Sequence, residues 1–237
     1  MKKIIAFIIV LGLYLAYDHY NSKEKIPDEG NTEKESTFSY LALGDSYTIG
    51  ESVSIDNRYP NQLVNRLSKV GFITDSATII AKTGWTTDEL KAGIVERNIE
   101  GNTYDLVTLL IGVNNQYRGR NTENFRKEFI DLLKQAIAFA GGNPEKVIVI
   151  SIPDWGVTPF AADRDAQQIA IEIDAYNAIK KEEAEALNVA FVDITPISRN
   201  AKNRPKLVAK DGLHPSDTMY KEWVNKVYPI ALKILEK

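Results

Sequence analysis

Five short apolar runs, at 38–43, 77–81, 106–111, 147–152 and 190–194, recur along the chain with segments of helical period between them. Each run is rich in Val, Ile, Leu or Phe and shows little alternation of apolar and polar residues, the pattern of strands covered on both faces. Between them, Pro60 suits a first helical turn, after which Leu63, Val64 and Leu67 fall on one face. Thr86 and Glu89 have the spacing of a capping box. Phe125, Phe129, Leu132 and Ala136 mark a third helix that Gly141, Gly142 and Pro144 stop. Ile169, Ile173 and Tyr176 mark a fourth, and Trp223, Val227, Ile230 and Ile234 a fifth. Strands alternating with helices in this way predict an α/β fold, a three-layer α/β/α sandwich around a mainly parallel sheet of about five strands. No internal repeat is present.

The N-terminus is of another kind. Lys2 and Lys3 precede an apolar run from Ile4 to Tyr17, shorter than the about 20 residues of a membrane span. Residues 1–20 therefore read as a secretory signal peptide or an uncleaved signal anchor, and residues 21–37 as a flexible polar tether. That leaves 38–237 as one folded domain, within the usual size of a single core. Export is the expectation, to a periplasmic or extracellular place or to a membrane surface through residues 4–17. The chain has no cysteine, which removes disulfides, thiolate metal sites, a cysteine nucleophile and a lipoprotein-type anchor. A net charge of -3 without a clustered basic excess argues against a nucleic-acid partner. Nothing in the sequence speaks to oligomeric state.

In a sheet of this kind, sites form at the carboxyl ends of the strands. Gly44-Asp45-Ser46 follows the first run, Lys82-Thr83-Gly84-Trp85 the second, Gly112-Val113-Asn114-Asn115 the third and Pro153-Asp154-Trp155 the fourth; Asp211-Gly212-Leu213-His214-Pro215 comes late in the chain. A serine hydroxyl needs an adjacent base, usually a histidine oriented by a carboxylate. Only two histidines exist; His19 lies in the polar residues that follow the apolar run, before the domain, so His214 is the one imidazole the domain offers, with Asp211 three residues before it. Ester cleavage also needs donors aimed at a developing oxyanion, each worth about 3 kcal/mol. The backbone N–H groups of Ser46 and Gly84 and the side-chain amide of Asn114 are the candidates. Taken singly, each has a plainer reading as a turn or cap residue. Asp45 is better suited to holding its own loop together than to orienting a distant imidazole.

Taken together, these blocks resemble the SGNH hydrolases, also called GDSL-type esterases or lipases, in order from about Tyr40 to Tyr220. The resemblance rests on Gly44-Asp45-Ser46, on Gly84, on Gly112-Val113-Asn114-Asn115 and on Asp211 with His214. It implies a flavodoxin-like fold, Ser46 as nucleophile and oxyanion donor, Gly84 and Asn114 as the other donors, Asp211 as orienting acid and His214 as base. It implies hydrolysis of a small-molecule, glycan or lipid ester with neither metal nor organic cofactor. Two positions depart from the family pattern: Tyr47 stands where leucine is usual, and Asn115 where aspartate is usual. Trp85, Trp155 and Phe160 follow strands and are candidates to line the acyl or alcohol pocket. Carbohydrate O-deacetylation and lysophospholipid or thioester hydrolysis are alternatives within the class. Outside it stand a phosphate-holding module, for which "GDSYTIG" is a thin cradle, and a non-catalytic envelope binding protein.

Overall fold

The computed structural model describes residues 36–237. The signal or anchor at 1–20, His19 and the tether as far as residue 35 lie outside the described residues. Ser36 and Thr37, assigned from the sequence to that tether, belong instead to the folded unit. They form β1 (Ser36–Thr37), parallel to β3 (Phe72–Ile73), with Ser36 N–H donating to Gly71 O and Phe38 N–H to Ile73 O, both at 2.9 Å. A two-residue strand with exposed side chains needs only backbone partners, so no apolar run announces it.

The main sheet contains β2 (Tyr40–Gly44), β4 (Thr78–Ala81), β5 (Leu106–Leu110), β6 (Val147–Ile150) and β7 (Ala190–Val192), in the order β4-β2-β5-β6-β7 with every pair parallel. All five apolar runs are strands. Every residue of β2, β5 and β6 is buried, whereas edge strand β4 begins with exposed Thr78. That difference is why the central runs lack a polar alternation: both of their faces are covered.

The helices follow the predicted segments. Tyr59–Ser68 (α2) buries Leu63 and Leu67, and Thr87–Glu96 (α3) opens with Thr86 N–H donating to Glu89 at 2.9 Å, one half of the predicted box. Thr122–Phe139 (α5) starts on Asn121, whose side chain accepts from Glu123 and Asn124 N–H, and gives way to Gly141 and Gly142 at φ 68° and 81°. Ala166–Ala186 (α6), the short Thr195–Arg199 (α7) and Asp217–Leu235 (α8) complete the layers. Right-handed crossovers put α2 on one face, where it packs against α8, and α3, α5 and α6 on the other, where they pack in sequence. Among the described residues no helix is long and apolar enough to cross a membrane.

Numbered within the sheet, the strand order is 2-1-3-4-5. The chain leaves β2 toward one edge and returns past it to β5, so the carboxyl ends of β2 and β5 border the crevice in which α/β sheets hold ligands.

Candidate active site

Ser46 reaches that crevice because β2 runs directly into a one-turn helix, Ser46–Ile49 (α1), capped by Asp45. Asp45 Oδ1 accepts the Tyr47 N–H at 3.0 Å, and Gly50 ends the turn at φ 72°. The Asp45 carboxyl is buried, and burial pushes its pKa up to about 7 against the Tyr47 N–H and the charge of Lys180. Lys180, on α6, is itself fully buried, and its Nζ donates to Ile111 O at 2.9 Å and Ile150 O at 2.7 Å, where β5 and β6 part. Burial pushes this ammonium down to about 7, opposed by the attraction of Asp45. Both groups lie beneath the crevice as supports, in keeping with a loop-holding Asp45.

The late loop brings a second set of groups. Gly212, at φ 75°, lets the chain double back so that Asp211 Oδ1 accepts the N–H of Leu213 and of His214, both at 3.0 Å. Asp211 Oδ2 meets His214 Nδ1 at 2.5 Å. The same oxygen accepts a hydrogen bond from Ser52 Oγ at 2.6 Å. Partial burial works to raise the Asp211 pKa, but these four donors outweigh it and hold the carboxyl well below the usual carboxylate range. An ionised Asp211 keeps a proton on Nδ1, so Nε2 is the ring nitrogen left to act as acceptor. The ring of His214 lies edge-on to Tyr47, with centroids 5.6 Å apart. Tyr47 therefore serves as an aromatic wall beside the imidazole in place of the usual leucine.

Gly112, at φ 124°, opens a short helix, Val113–Tyr117 (α4). Its absent side chain is required as well as its conformation, since a Cβ there would lie 2.9 Å from Ile152 Cδ1 and Phe125 Cε2. Asn114 Nδ2 donates to Trp85 O at 2.9 Å, which uses one amide hydrogen and leaves the other. The N–H groups of Ser46 and Gly84 meet no acceptor among the described residues. Asn115 points inward: its Oδ1 accepts the Thr87 N–H at 3.1 Å and its Nδ2 donates to Thr87 Oγ1 at 2.7 Å, while that hydroxyl donates to Glu128. The departure from aspartate thus has a structural use, since an amide can serve as acceptor and donor at once.

Ser46, Gly84, Asn114 and His214 line one cleft of about 170 Å³. Trp155 and Phe160 line it too, with Val113, Tyr117 and Leu213 completing an apolar wall. The Trp155 indole Nε1–H donates to Gln116 Oε1 at 2.8 Å, which fixes the ring at the back. Tyr117 and Phe160 stand half-exposed at the mouth, their rings 5.4 and 5.9 Å from Trp155. Trp85 does not belong to this wall. Its indole packs onto Gly93 of α3, where an added Cβ would fall 2.1 Å from the ring, and only its backbone carbonyl faces the site. A side chain after a strand can turn to the rim or under the next helix, and the small residue at 93 provides the space for the second.

Sequence reasoning did not find Ser52, Tyr117 or Lys180. Tyr117 lies three residues past Asn114 on a helix, a same-face spacing that carried the signal. Ser52 had none, being a hydroxyl in a polar loop. Among the described residues no group of three or more His, Asp or Glu side chains is arranged to hold a metal ion.

Residues 42–222 match the family described as GDSL-like Lipase/Acylhydrolase. No curated protein sequence matches the chain. Among solved structures, TesA is 17% identical with a TM-score of 0.64, over 84% of this chain and 99% of its own. The psychrotrophic esterase EstA from Pseudoalteromonas sp., inhibited by monoethylphosphonate, is 13% identical with a TM-score of 0.63, over 84% and 99%. The acetylxylan esterase Axe2 from Geobacillus stearothermophilus is 19% identical with a TM-score of 0.61, over 87% and 97%. At these identities the likeness is one of fold.

Proposed function

The chain belongs to the GDSL-like lipase/acylhydrolase family and is a hydrolase acting on ester bonds, and from that premise we propose that it works through an acyl-enzyme on Ser46. The observation that carries this reading is the 2.5 Å contact of Asp211 Oδ2 with His214 Nδ1, in a cleft that the imidazole shares with Ser46. Ser46 Oγ attacks the ester carbonyl carbon while His214 Nε2 takes the hydroxyl proton. The oxyanion is held by the N–H of Ser46, the N–H of Gly84 and the free amide hydrogen of Asn114. The tetrahedral intermediate collapses, the C–O bond to the alcohol breaks, and His214 returns its proton to that oxygen. Water, deprotonated by the same imidazole, then releases the carboxylic acid and restores Ser46. Asp211 stays ionised throughout and stabilises the imidazolium.

The size of the cleft supports a small acyl group. Its volume of about 170 Å³ is below the about 300–1,000 Å³ of sites that enclose drug-sized ligands. The acyl portion packs against Trp155, with Tyr117 and Phe160 at the mouth, and the alcohol portion lies outside. TesA and Axe2 share the fold, and Axe2 is an acetylxylan esterase; acetylated glycans therefore join short acyl esters in the substrate panel. Residues 1–20 are proposed to export the domain or to anchor it through 4–17, which fractionation of cells expressing the full chain tests.

The catalytic reading is tested with purified protein on short p-nitrophenyl esters and with a fluorophosphonate probe. Turnover and labelling at Ser46, both lost in Ser46→Ala and with turnover abolished in His214→Ala but kept in His19→Ala, are the expected results. Folded wild-type protein inert to both reagents refutes it.

A further inference from the structure

The turn that carries the Gly84 N–H is defined closely enough to ask what holds it. Trp85 N–H donates to Lys82 O at 3.2 Å, closing a four-residue turn with Thr83 and Gly84 at its centre. Gly84 has φ 86°, and Thr83 is not among the residues with positive φ. Only a type II turn meets both conditions, with glycine at its third position. Such a turn has no helix or strand of its own to brace it, so its place against α4 rests on side chains.

Two side chains one helical turn apart grip successive carbonyls of this turn. Asn114 Nδ2 donates to Trp85 O at 2.9 Å, and Arg118 Nη2 donates to Gly84 O at 2.6 Å. Arg118 Nη1 also bonds Glu89 Oε1 at 3.1 Å, which ties the guanidinium to the first turn of α3. On the other side, Thr83 Oγ1 donates to Glu51, in the loop after α1.

We propose that Arg118 is a positioning residue for the reaction, clamping the Lys82–Trp85 turn against the helix that carries Asn114 so that the Gly84 N–H and the Asn114 amide keep a fixed separation. The proposal rests on the reading of Gly84 as an oxyanion donor. It gives the guanidinium a function that an ordinary exposed ion pair with Glu89 lacks, because such pairs contribute little to a fold. Arg118 touches no substrate and acts through Gly84.

The test compares Arg118→Ala, Gly84→Ala and the double variant on p-nitrophenyl acetate, with thermal unfolding measured alongside. Alanine keeps the N–H at position 84 but resists φ 86°, so Gly84→Ala is expected to turn that donor out of place, with a loss in kcat near the lower end of the about 10²–10³ of a lost oxyanion donor. Arg118→Ala keeps the donor but loosens it, so kcat is expected to fall about tenfold with KM changed less than about twofold and Tm nearly unmoved. Because the clamp acts through the donor, the double variant should be no slower than Gly84→Ala alone. Millimolar guanidinium should restore part of the Arg118→Ala rate and none of the Gly84→Ala rate. Normal kcat in Arg118→Ala beside an impaired Gly84→Ala overturns the clamp while sparing the donor. Normal kcat in both single variants means that the placing of the Gly84 N–H does not limit the rate, which removes the donor reading and the clamp with it.

Discussion

Replacing Gly44 by Ala tests how the nucleophile is held. Gly44 is the last residue of β2, in register with Leu110 of β5 and two residues before Ser46. A Cβ built there would lie 2.1 Å from Thr48 Oγ1, 2.8 Å from Thr48 Cβ and 2.3 Å from the carbonyl oxygen of Leu110. Carbon-to-oxygen contacts settle at about 3.3–3.6 Å, so the Leu110 oxygen and the new methyl must separate by about 1 Å. Thr48 can change rotamer, but Leu110 belongs to β5, which is paired on both sides and cannot recede. The end of β2 moves instead and takes Ser46 with it. Overpacking of this kind costs about 1–3 kcal/mol, reduced by up to about 1 kcal/mol because alanine narrows the unfolded ensemble. A 1 Å misplacement of a reacting group costs about 10² in rate. Gly44→Ala should therefore lose about 1–2 kcal/mol in urea unfolding, about 10² in kcat on p-nitrophenyl acetate, and a similar factor in fluorophosphonate labelling. Adding Thr48→Ala removes the shortest of the three contacts, that with Thr48 Oγ1, but leaves those with Thr48 Cβ and the Leu110 oxygen, and should recover part of the stability but little of the rate. A double variant with wild-type kcat would show that the Leu110 carbonyl does not constrain Ser46.

Asn115→Asp puts a carboxylate oxygen where Nδ2 now donates to Thr87, whose single hydroxyl hydrogen already goes to Glu128; one buried acceptor is left unpaired and stability should fall by about 1–3 kcal/mol in urea unfolding. Equal stability at pH 7 would mean that the Thr87 hydroxyl is not shared in this way. The Asp211 carboxyl is held below the 3.8 of an ordinary aspartate, so through that range the native state binds fewer protons than the unfolded chain. The stability it contributes is complete above about pH 4 and lost as pH falls through the folded value; the unfolding free-energy gap between wild type and Asp211→Asn should be flat from about pH 5 to 7 and narrow below about pH 4. A gap that widens on acidification reverses that sign. Ser52 has φ 66°, strained for a residue with a side chain, and its hydroxyl holds Asp211. Ser52→Ala and Ser52→Gly should lower kcat equally, about threefold to tenfold, with the glycine variant the more stable by about 1 kcal/mol; a smaller kcat loss in one than the other assigns the effect to backbone strain rather than to the hydroxyl.

The sheet was legible because burial on both faces writes itself as unbroken apolar runs, and the rim residues were legible because a parallel sheet fixes where strands end. The connections between rim residues were not. Trp85 and Trp155 both follow a strand closely, yet Gly93 gives one indole a place under α3 while Gln116 holds the other in the cleft. Gln116 is 39 residues from Trp155, and although Gly93 follows Trp85 on the next helix, no pattern marks it as the place for the indole. Lys180 sits on a helix rich in charged residues, and nothing in that spacing tells that its ammonium is the one buried beneath β5 and β6. Ser52 and Asp211 are 159 residues apart, and their contact exists only after α1 and the late loop have both docked.

The short helix α4 makes the same point in the other direction. Five residues are far too few to form a stable helix alone, and Gly112 at its start imposes a conformation that other residues resist. Its order comes from what its side chains reach. Asn115 bonds Thr87 at the head of α3, Gln116 bonds Glu172 and Trp155, and Asn114 and Arg118 bond the turn at 84–85. Tyr117 is left facing the cleft. Every side chain from Asn114 to Arg118 therefore either contacts the site or fixes something that does, and the helix is rigid only when all of those partners are in place. This ties the placement of the Asn114 amide to the packing of α3 and α6, so Glu172→Ala, at a position well removed from Ser46 in sequence, should lower kcat on p-nitrophenyl acetate with little change in urea unfolding, whereas Thr87→Ala, which leaves buried groups of Asn115 unpaired, should lower both.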